Sequence, residues 1–150
     1  MITWSEEKII DANIEKIWNL FADENIQKIM PKVEQHRLIE KQPHEVGAKH
    51  EQTYREGRRA ETYVVETLAY EDTDEKKFKQ TSFVLGGAFQ VSYTVALEKI
   101  GKDRTRFTYS GQNKGINFVG RAMLKLGSEK SNMRVVHEFM GKVEQQALKN

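Results

Sequence analysis

The chain contains no cysteine and only 2 prolines among its 150 residues. Without cysteine there is no disulfide framework, no thiolate nucleophile and no cysteine-ligated zinc or iron–sulfur site. With so little proline, and no low-complexity stretch, nothing in the sequence marks a linker between two domains. The length is sufficient for one hydrophobic core, and 38% of the residues are hydrophobic. We therefore predict a single domain over residues 1–150.

Long hydrophobic runs and an excess of one charge are also missing. No segment approaches the roughly 20 apolar residues that a membrane helix needs, and the N-terminus has no basic stretch followed by an apolar run. The 24 basic and 22 acidic residues give a net charge of +2 and are spread along the chain. Nucleic-acid binding needs clustered positive charge, so no nucleic-acid partner is predicted. We expect a soluble, cytoplasmic protein.

The hydrophobic pattern predicts a strand, two short helices and then a long meander. Residues 4–11 favour a strand, residues 13–22 have helical spacing that Asp11 or Asn13 can cap, and residues 24–30 favour a second helix ending at Pro31. Beyond this proline, polar and apolar residues alternate between turn residues, as in antiparallel strands. Six strands are predicted, at residues 33–41, 47–55, 59–71, 76–85, 88–100 and 104–113.

Turn residues fix a predicted register for the last three strands. Gly86 and Gly87 suit a two-residue hairpin turn, because such turns demand positive φ. This turn places one set of side chains on the inner face of the sheet: Phe78, Gln80, Ser82, Val84, Phe89, Val91, Tyr93 and Val95. It places another set on the outer face: Lys77, Lys79, Gln90, Ser92 and Thr94. A three-residue loop at Gly101-Lys102-Asp103 would pair Leu97 with Phe107, Val95 with Tyr109 and Glu98 with Arg106.

Two registers in the first half of the meander are less constrained. A turn at Glu56-Gly57 would set His50, Gln52 and Tyr54 opposite Tyr63, Glu61 and Arg59, respectively. An even-length loop before Lys76 puts Tyr63 and Val65 inside the sheet. A one-residue slip would instead turn Glu66 inward, opposite Gln80, and both registers remain open.

The last third of the chain predicts a long helix over residues 117–150. Its apolar stripe comprises Phe118, Val119, Ala122, Met123, Leu126, Met133, Val136, Met140, Val143 and Ala147. Residues 127–132 weaken the pattern and predict a kink. Gly120, Gly127 and Gly141 lie on one side of this helix, which indicates either close packing or open space there.

One segment resembles a known superfamily. Residues 10–23, with the sequence IDANIEKIWNLFAD, are similar to the opening motif of the START-like (SRPBCC) proteins, the polyketide cyclase/dehydrase and lipid transport group that includes the birch pollen allergen fold. Met30-Pro31-Lys32-Val33 and Glu45-Val46-Gly47-Ala48 are similar to later landmarks of that group. Asn13 stands where proline is usual in the motif, and Met30 where tryptophan is common. The order of predicted elements also matches, so the fold class is identified as α+β, a helix-grip fold in which a curved antiparallel sheet of about seven strands (β-α-α-β6-α) wraps around a long C-terminal helix.

The resemblance implies a cavity between the sheet and the last helix that binds a small hydrophobic or amphipathic molecule such as a lipid, polyketide or quinone. The predicted inner face mixes large apolar side chains with neutral hydrogen-bonding ones, which suits such a ligand. The candidate ligand-binding residues are His50, Gln52, Tyr54, Phe78, Gln80, Ser82, Phe89, Val91, Tyr93, Phe107, Tyr109, Met123, Met133 and His137. A packed core with paired polar groups would produce the same pattern.

Individual side chains support no specific reaction. His137 follows Met133 by one turn and either faces the cavity or lies at the edge of the apolar stripe with one nitrogen in water. His36, His44 and His50 show no metal-ligand spacing along the chain, so neither a metal site nor a cofactor is predicted. The inward tyrosines Tyr93 and Tyr109 could meet a ligand or serve as core aromatics. No catalytic residue is assigned.

Three functional hypotheses follow from the sequence. The leading one is a carrier or sensor of a small hydrophobic ligand. The second is an enzyme of the polyketide cyclase or dehydratase type, which needs a titrating group in the cavity. The third is a protein-binding domain similar to the heat-shock-protein activators of the same superfamily, which needs an exposed apolar patch.

Overall fold

The computed structural model describes residues 1–127 and 129–149 and contains seven strands. They are β1 (Ile2–Ile10), β2 (Val33–Glu40), β3 (Lys49–Glu56), β4 (Arg59–Asp72), β5 (Lys76–Leu85), β6 (Phe89–Gly101) and β7 (Arg104–Gly115). The helices are α1 (Ile14–Trp18), followed by a 3₁₀ turn (Asn19–Phe21), then α2 (Ile26–Ile29), α3 (Phe118–Leu126) and α4 (Glu129–Ala147). The predicted helix-grip order is thereby confirmed, with strand bounds within about two residues of those expected.

All seven strands form one antiparallel sheet in the order β1-β7-β6-β5-β4-β3-β2. The first strand pairs with the last, and β2 to β7 follow one another as a meander. The sheet is curved, and α1, α2 and α4 cover its concave face. No helix among the described residues is long and apolar enough to cross a membrane.

The core lies between the concave face and the helices. On α4, the buried side chains recur at helical spacing: Val136, Met140, Val143 and Ala147. They join Ile10, Ile14 and Ile17 of the N-terminal segment and Leu97 and Phe107 of the sheet. Asn13 is the N-cap of α1, because its side chain accepts a hydrogen bond from the backbone N–H of Glu15 at 2.9 Å.

The region predicted as one long helix with a kink at residues 127–132 is two helices, α3 and the long α4, and the break falls within the segment predicted to be kinked. Gly127 is the C-cap of α3 and has extended backbone angles, so the helix cannot continue through it. Three members of the predicted apolar stripe on α3 are exposed, Phe118 by 80%, Val119 by 60% and Met123 by 54%. Ser128, Asn150 and the side chain of Leu126 lie outside the described residues.

The close packing predicted beside the helical glycines exists at one of them. A Cβ atom at Gly120 would overlap the carbonyl oxygen of Ala88 in the loop between β5 and β6. At Gly141, in α4, a Cβ atom would meet nothing within 4 Å. The absence of a side chain therefore matters for packing at Gly120 and not at Gly141.

The predicted register between β5 and β6 is wrong by one residue. Leu85 pairs with Phe89, so the loop contains Gly86, Gly87 and Ala88 rather than the two glycines alone. Both glycines have positive φ, +60° and +63°, as predicted, but Ala88 extends the loop and donates its N–H to the carbonyl of Leu85 at 3.1 Å. Because side chains alternate, this slip moves every residue of β5 to the opposite face.

The slip exchanges the two faces of β5. Phe78, Gln80 and Ser82 lie on the convex face, opposite Ala96, Thr94 and Ser92, respectively. The side chains that share the concave face with Tyr93, Val95 and Leu97 are Lys77, Lys79, Thr81 and Phe83. The Lys77 side chain is only 3% exposed, and its amine forms ion pairs with Glu15, at 2.8 Å, and with Asp72.

The other registers keep the predicted faces. The turn between β3 and β4 is Gly57-Arg58, so Gln52 pairs with Tyr63 and Tyr54 pairs with Glu61. This register differs from the predicted one by two residues. Because a shift of two residues keeps each side chain on its face, His50, Gln52 and Tyr54 remain on the concave face. Val65 is buried, while Glu66 pairs with Ser82 on the convex face, which settles the open question about Glu66. The predicted pairs Leu97 with Phe107, Val95 with Tyr109 and Glu98 with Arg106 are confirmed.

Candidate functional site

Three ligating side chains meet near one end of the concave face. Asp23 Oδ1 lies 3.1 Å from His36 Nε2, and Asp23 Oδ2 lies 2.9 Å from His50 Nε2. The two imidazole rings are stacked, with centroids 4.6 Å apart and planes inclined by 16°. The histidine side chains are 10% and 5% exposed, whereas the Asp23 side chain is 39% exposed. We call these three residues the Asp-His-His cluster.

Strand pairing positions the two histidines of this cluster, and a turn positions Asp23. His36 on β2 pairs with Gln52 on β3, and His50 lies two residues from Gln52 on the same face, which brings the two rings together diagonally. Asp23 lies in the turn between the 3₁₀ segment and α2. Asn25 closes this turn, because its N–H donates to the carbonyl of Ala22 and its side-chain amide to the carbonyl of Asn19.

A hydrogen-bonded chain extends from the cluster along the sheet. His36 Nδ1 lies 2.8 Å from Gln52 Oε1, and the Gln52 amide nitrogen donates to the Tyr63 hydroxyl at 2.8 Å. Gln52 is buried, so this chain also satisfies an amide that would otherwise be costly to bury. The arrangement leaves Nε2 of His36 as the nitrogen that faces Asp23.

The two histidines of the cluster lower the pKa of the Asp23 carboxyl group. Hydrogen bonds from His36 and His50 hold the pKa of Asp23 well below its usual range, although partial burial acts in the opposite direction. Burial raises the pKa of Tyr63 to about 12. Asp23 is therefore an anion and Tyr63 a neutral hydroxyl at neutral pH.

A small enclosed cavity adjoins the cluster. Its volume is about 30 Å³, which is room for one or two water molecules. Its lining combines apolar with polar side chains: Phe21, Ile26, His36, His50, Gln52, Val65, Thr67, Lys79, Thr81, Tyr93 and Val95. The cavity is therefore a pocket of mixed polarity inside the core and is too small for a lipid chain.

A larger groove opens on the other side of Asp23. Its volume is about 310 Å³, and it is lined by Trp18, Asn19, Phe21, Ala22, Asp23, Glu24, Glu45, Tyr70 and Lys79. The Trp18 ring lies 5.9 Å from the Tyr70 ring and 6.3 Å from the Phe21 ring, centroid to centroid. Phe21 and Lys79 line both the groove and the enclosed cavity, so the two spaces are neighbours separated by few side chains. We call this space the aromatic groove.

Lys79 differs from the other inward lysine of its strand. Lys77 is fully engaged with Asp72 and Glu15. Within residues 1–127 and 129–149, no hydrogen bond or ion pair is made by the amine of Lys79. A cation beside an aromatic groove and a polar cavity can bind an anionic or carbonyl oxygen.

The predicted site residues do not lie together in one pocket. His50, Gln52 and Tyr93 line the enclosed cavity. Phe107 is fully buried in the core, and Tyr109 and Met133 pack against it. Tyr54 lies near the end of β3, where its hydroxyl donates to Glu56 at 3.1 Å. Phe89 and Val91 share the concave face but line neither space, and Phe78, Gln80 and Ser82 face outward.

Two predicted residues lie away from the concave pocket on the helices. Met123 is exposed because α3 ends at Gly127 and turns its apolar side to solvent. The His137 side chain is 64% exposed, with Nε2 3.8 Å from Glu6 Oε1, as expected for a histidine at the edge of the stripe. Neither residue belongs to the cavity.

Asp23, His36 and Lys79 were not predicted as site residues. Neither were the aromatic side chains of the groove, Trp18, Phe21 and Tyr70. The spacing of Asp23, His36 and His50 along the chain shows no ligand pattern, since they meet only through strand pairing and the turn before α2. Lys79 was assigned to the outer face by the one-residue slip. Alternation from Val33 would have placed His36 on the opposite face, because the two residues are an odd number of positions apart. The β-bulge between Val33 and Gln35 brings His36 to the concave face, so the regular strand pattern could not have found it.

The fold and the sequence together identify the class of protein. Residues 1–148 match the family described as polyketide cyclase/dehydrase and lipid transport. The chain therefore belongs to this family.

Solved structures with the same fold come from plants and bacteria. One is the ginseng major latex-like protein 151 from Panax ginseng, with 16% identity and a TM-score of 0.69 over 98% of this chain and 97% of that one. A hypothetical protein from Helicobacter pylori has 14% identity and a TM-score of 0.73, over 97% of this chain and 87% of that one. A truncated norcoclaurine synthase from Thalictrum flavum has 14% identity and a TM-score of 0.67, over 99% and 94%. No curated protein matches the sequence significantly.

Proposed function

We propose that this protein binds a small amphipathic molecule in the aromatic groove, with the polar end of that molecule directed at the amine of Lys79, where the groove adjoins the enclosed cavity. The observation that carries the proposal is the position of Lys79, which lines both spaces and has an amine without a partner among the described residues. The apolar part of the ligand would lie against Trp18, Phe21 and Tyr70.

Of the two spaces that Lys79 lines, size decides which one holds the bulk of the ligand. Binding sites for small molecules usually have volumes of roughly 300–1,000 Å³. The aromatic groove, at about 310 Å³, meets the lower limit, whereas the enclosed cavity, at about 30 Å³, does not. The proposed ligand is therefore compact, with one or two rings and one oxygen-bearing end, rather than a long lipid chain.

Buried polar atoms indicate a second place where the concave face accommodates polar groups. Trp4 Nε1 and Asn113 Oδ1 lie on adjacent strands and are buried without a hydrogen-bond partner among the described residues. Such groups are usually satisfied by water or by a ligand. A larger ligand could reach them if the aromatic side chains between the sheet and α4 moved apart.

A second candidate function is proton transfer on a bound substrate. The hypothesis of a cyclase or dehydratase required a titrating group in the cavity, and His36 and His50 both line it. Asp23 would orient the His50 ring, which is the arrangement of a general base with an orienting carboxylate. The same groove would bind the substrate, so this function adds a reaction to the binding proposed above.

A screen of compact amphipathic compounds tests the proposal. Thermal unfolding is followed with aromatic carboxylic acids, hydroxylated aromatics and small quinones, and hits are measured by calorimetry. Lys79→Met should weaken binding of a carboxylate hit about tenfold or more, because it removes a charge-assisted hydrogen bond. Lys76→Met is the matched control, since this exposed lysine of the same strand lines neither space. Equal affinities for the two variants, or no hits, would contradict the proposal.

A further inference from the structure

We propose that Asp23, His36 and His50 form a binding site for one divalent transition-metal ion of the zinc type. This inference goes beyond the proposed function, because metal binding needs no organic ligand. Two imidazole nitrogens and one carboxylate oxygen are a donor set that suits first-row transition metals. The three ligand atoms come from different segments of the chain, and all lie within 4.8 Å of one another.

The distances within the cluster are close to those of a coordinated ion. Ligand atoms at about 2.0–2.1 Å from a tetrahedral ion lie about 3.3 Å from one another. The two distances from the Asp23 oxygens to the histidine Nε2 atoms, 3.1 and 2.9 Å, differ from this value by only a few tenths of an ångström. The two Nε2 atoms lie within 4.8 Å of each other, and the rings are stacked nearly parallel. The rings must therefore rotate towards a common point to surround one ion.

The hydrogen bond of His36 to Gln52 is a second, independent observation. The Gln52 amide nitrogen donates to Tyr63, so Gln52 Oε1 is the atom that faces His36 Nδ1 and accepts its hydrogen. In a neutral imidazole the lone pair is then on Nε2, where it points at the carboxylate oxygen 3.1 Å away. Two lone pairs at this distance repel each other unless a cation lies between them.

That cation is either a proton or a metal ion. A histidine that ligates a metal almost always donates its other ring N–H to a carbonyl or carboxylate oxygen, which fixes the tautomer and orients the ring. Gln52 has this role towards His36. Through Gln52, Tyr63 also helps to fix the orientation of the ligand.

Access and charge also suit a metal ion. The partly exposed Asp23 lines the aromatic groove together with Glu24 and Glu45, so three carboxylates border the route from solvent. Both histidines also line the enclosed cavity. Three protein ligands leave a fourth position for water or for an oxygen of a bound molecule, as in catalytic rather than structural zinc sites.

Direct metal titration tests the inference. The protein is treated with a chelator, dialysed, and titrated with Co²⁺, whose visible absorption reports coordination, and then with Zn²⁺ as a competitor. We expect one Co²⁺ per chain in the wild type, displaced by Zn²⁺. Asp23→Asn and His50→Ala should weaken binding at least tenfold, and Gln52→Leu about 10–100-fold through loss of ligand orientation. His44→Ala, which changes an exposed histidine outside the cluster, should bind as the wild type does.

A measurement on the unmodified protein covers the case in which a variant does not fold. Zn²⁺ should shift the imidazole NMR signals of His36 and His50 and leave those of His44 and His137 unchanged. The inference is overturned if the folded wild type binds no Co²⁺ or Zn²⁺, if His44→Ala abolishes binding, or if the shifted signals belong to His44 or His137. No organic compound is present, so these outcomes do not depend on the proposed small-molecule ligand.

Discussion

His36 and His50 stack with their ring centroids 4.6 Å apart, and each directs Nε2 at a different oxygen of Asp23. The two imidazoles line the enclosed cavity, and the carboxylate lines the aromatic groove. This relationship connects the fold to each functional proposal, because the same side chains can orient a ligand, transfer a proton or bind a metal ion. The packing of the sheet and the helices holds these three side chains in place.

Two glycine substitutions in the C-terminal helices should have opposite effects. Gly141→Ala adds a methyl group where nothing lies within 4 Å and should stabilise the protein by about 0.4–1 kcal/mol. Gly120→Ala would force a Cβ atom into the carbonyl oxygen of Ala88 and should destabilise it by about 1–3 kcal/mol. Urea unfolding of both variants measures the difference. Equal effects would show that α3 does not pack closely on the loop between β5 and β6.

Two phenylalanines should differ sharply in their contribution to stability. Phe107 is fully buried, so Phe107→Ala should lower the free energy of unfolding by about 3–5 kcal/mol. Phe118 is 80% exposed, and Phe118→Ala should change it by no more than about 0.5 kcal/mol. Chemical denaturation provides both values. A large loss at Phe118 would mean that α3 buries its apolar side, contrary to the structure.

The two inward lysines of β5 should respond differently to the same substitution. Burial alone would lower the pKa of Lys77, but hydrogen bonds to Asp72 and Glu15 raise it above its usual value. Lys77→Met leaves two carboxylates without their partner and should destabilise the protein by about 1–3 kcal/mol. Lys79→Met removes no ion pair and should be neutral within about 0.5 kcal/mol. Thermal unfolding would contradict this account if Lys79→Met were the more damaging change.

We expect the protein to lose stability at high pH because its tyrosine hydroxyl groups are buried. Burial raises the pKa of each of the five tyrosines above 10, and that of Tyr63 to about 12. The folded protein therefore holds these protons more tightly than the unfolded chain. The stability they contribute is complete below pH 10 and is lost as the pH rises towards 12 and beyond.

Ultraviolet difference titration measures this effect directly. At pH 10 the denatured protein should have about half of its tyrosines ionised, and the folded protein clearly fewer. Tyr63→Phe should reduce the fall in stability between pH 10 and pH 12. Coincident titration curves for folded and denatured protein would contradict the burial of these hydroxyls.

The order of elements could be predicted from sequence because each boundary has a local cause. Pro31 ends the second helix, and Gly57 and Gly86 supply the positive φ values that hairpin turns need. Alternation then gives the strands and, for His50 and Gln52, the correct face. These signals depend on neighbours in the chain, which a single sequence contains.

The register of β5 and the full site could not be predicted in the same way. Whether Ala88 belongs to the loop is decided by tertiary packing, since Ala88 contacts Gly120 of α3 and accepts a hydrogen bond from Ile116. That one residue determines whether Lys79 faces the groove or the solvent. Asp23 and His36 meet His50 only after β2 pairs with β3 and Asn25 closes the turn before α2.

The most direct test of the central claim is an NMR titration of the backbone amides with a compact aromatic carboxylic acid selected from the thermal screen. The account predicts the largest shifts in the turn at residues 21–24, at His36 and His50, and at Lys79, with little change on the convex face or on α3. If the compound instead shifts the amides of α3 or of the convex face and leaves residues 21–24 and Lys79 unchanged, the aromatic groove is not the binding site.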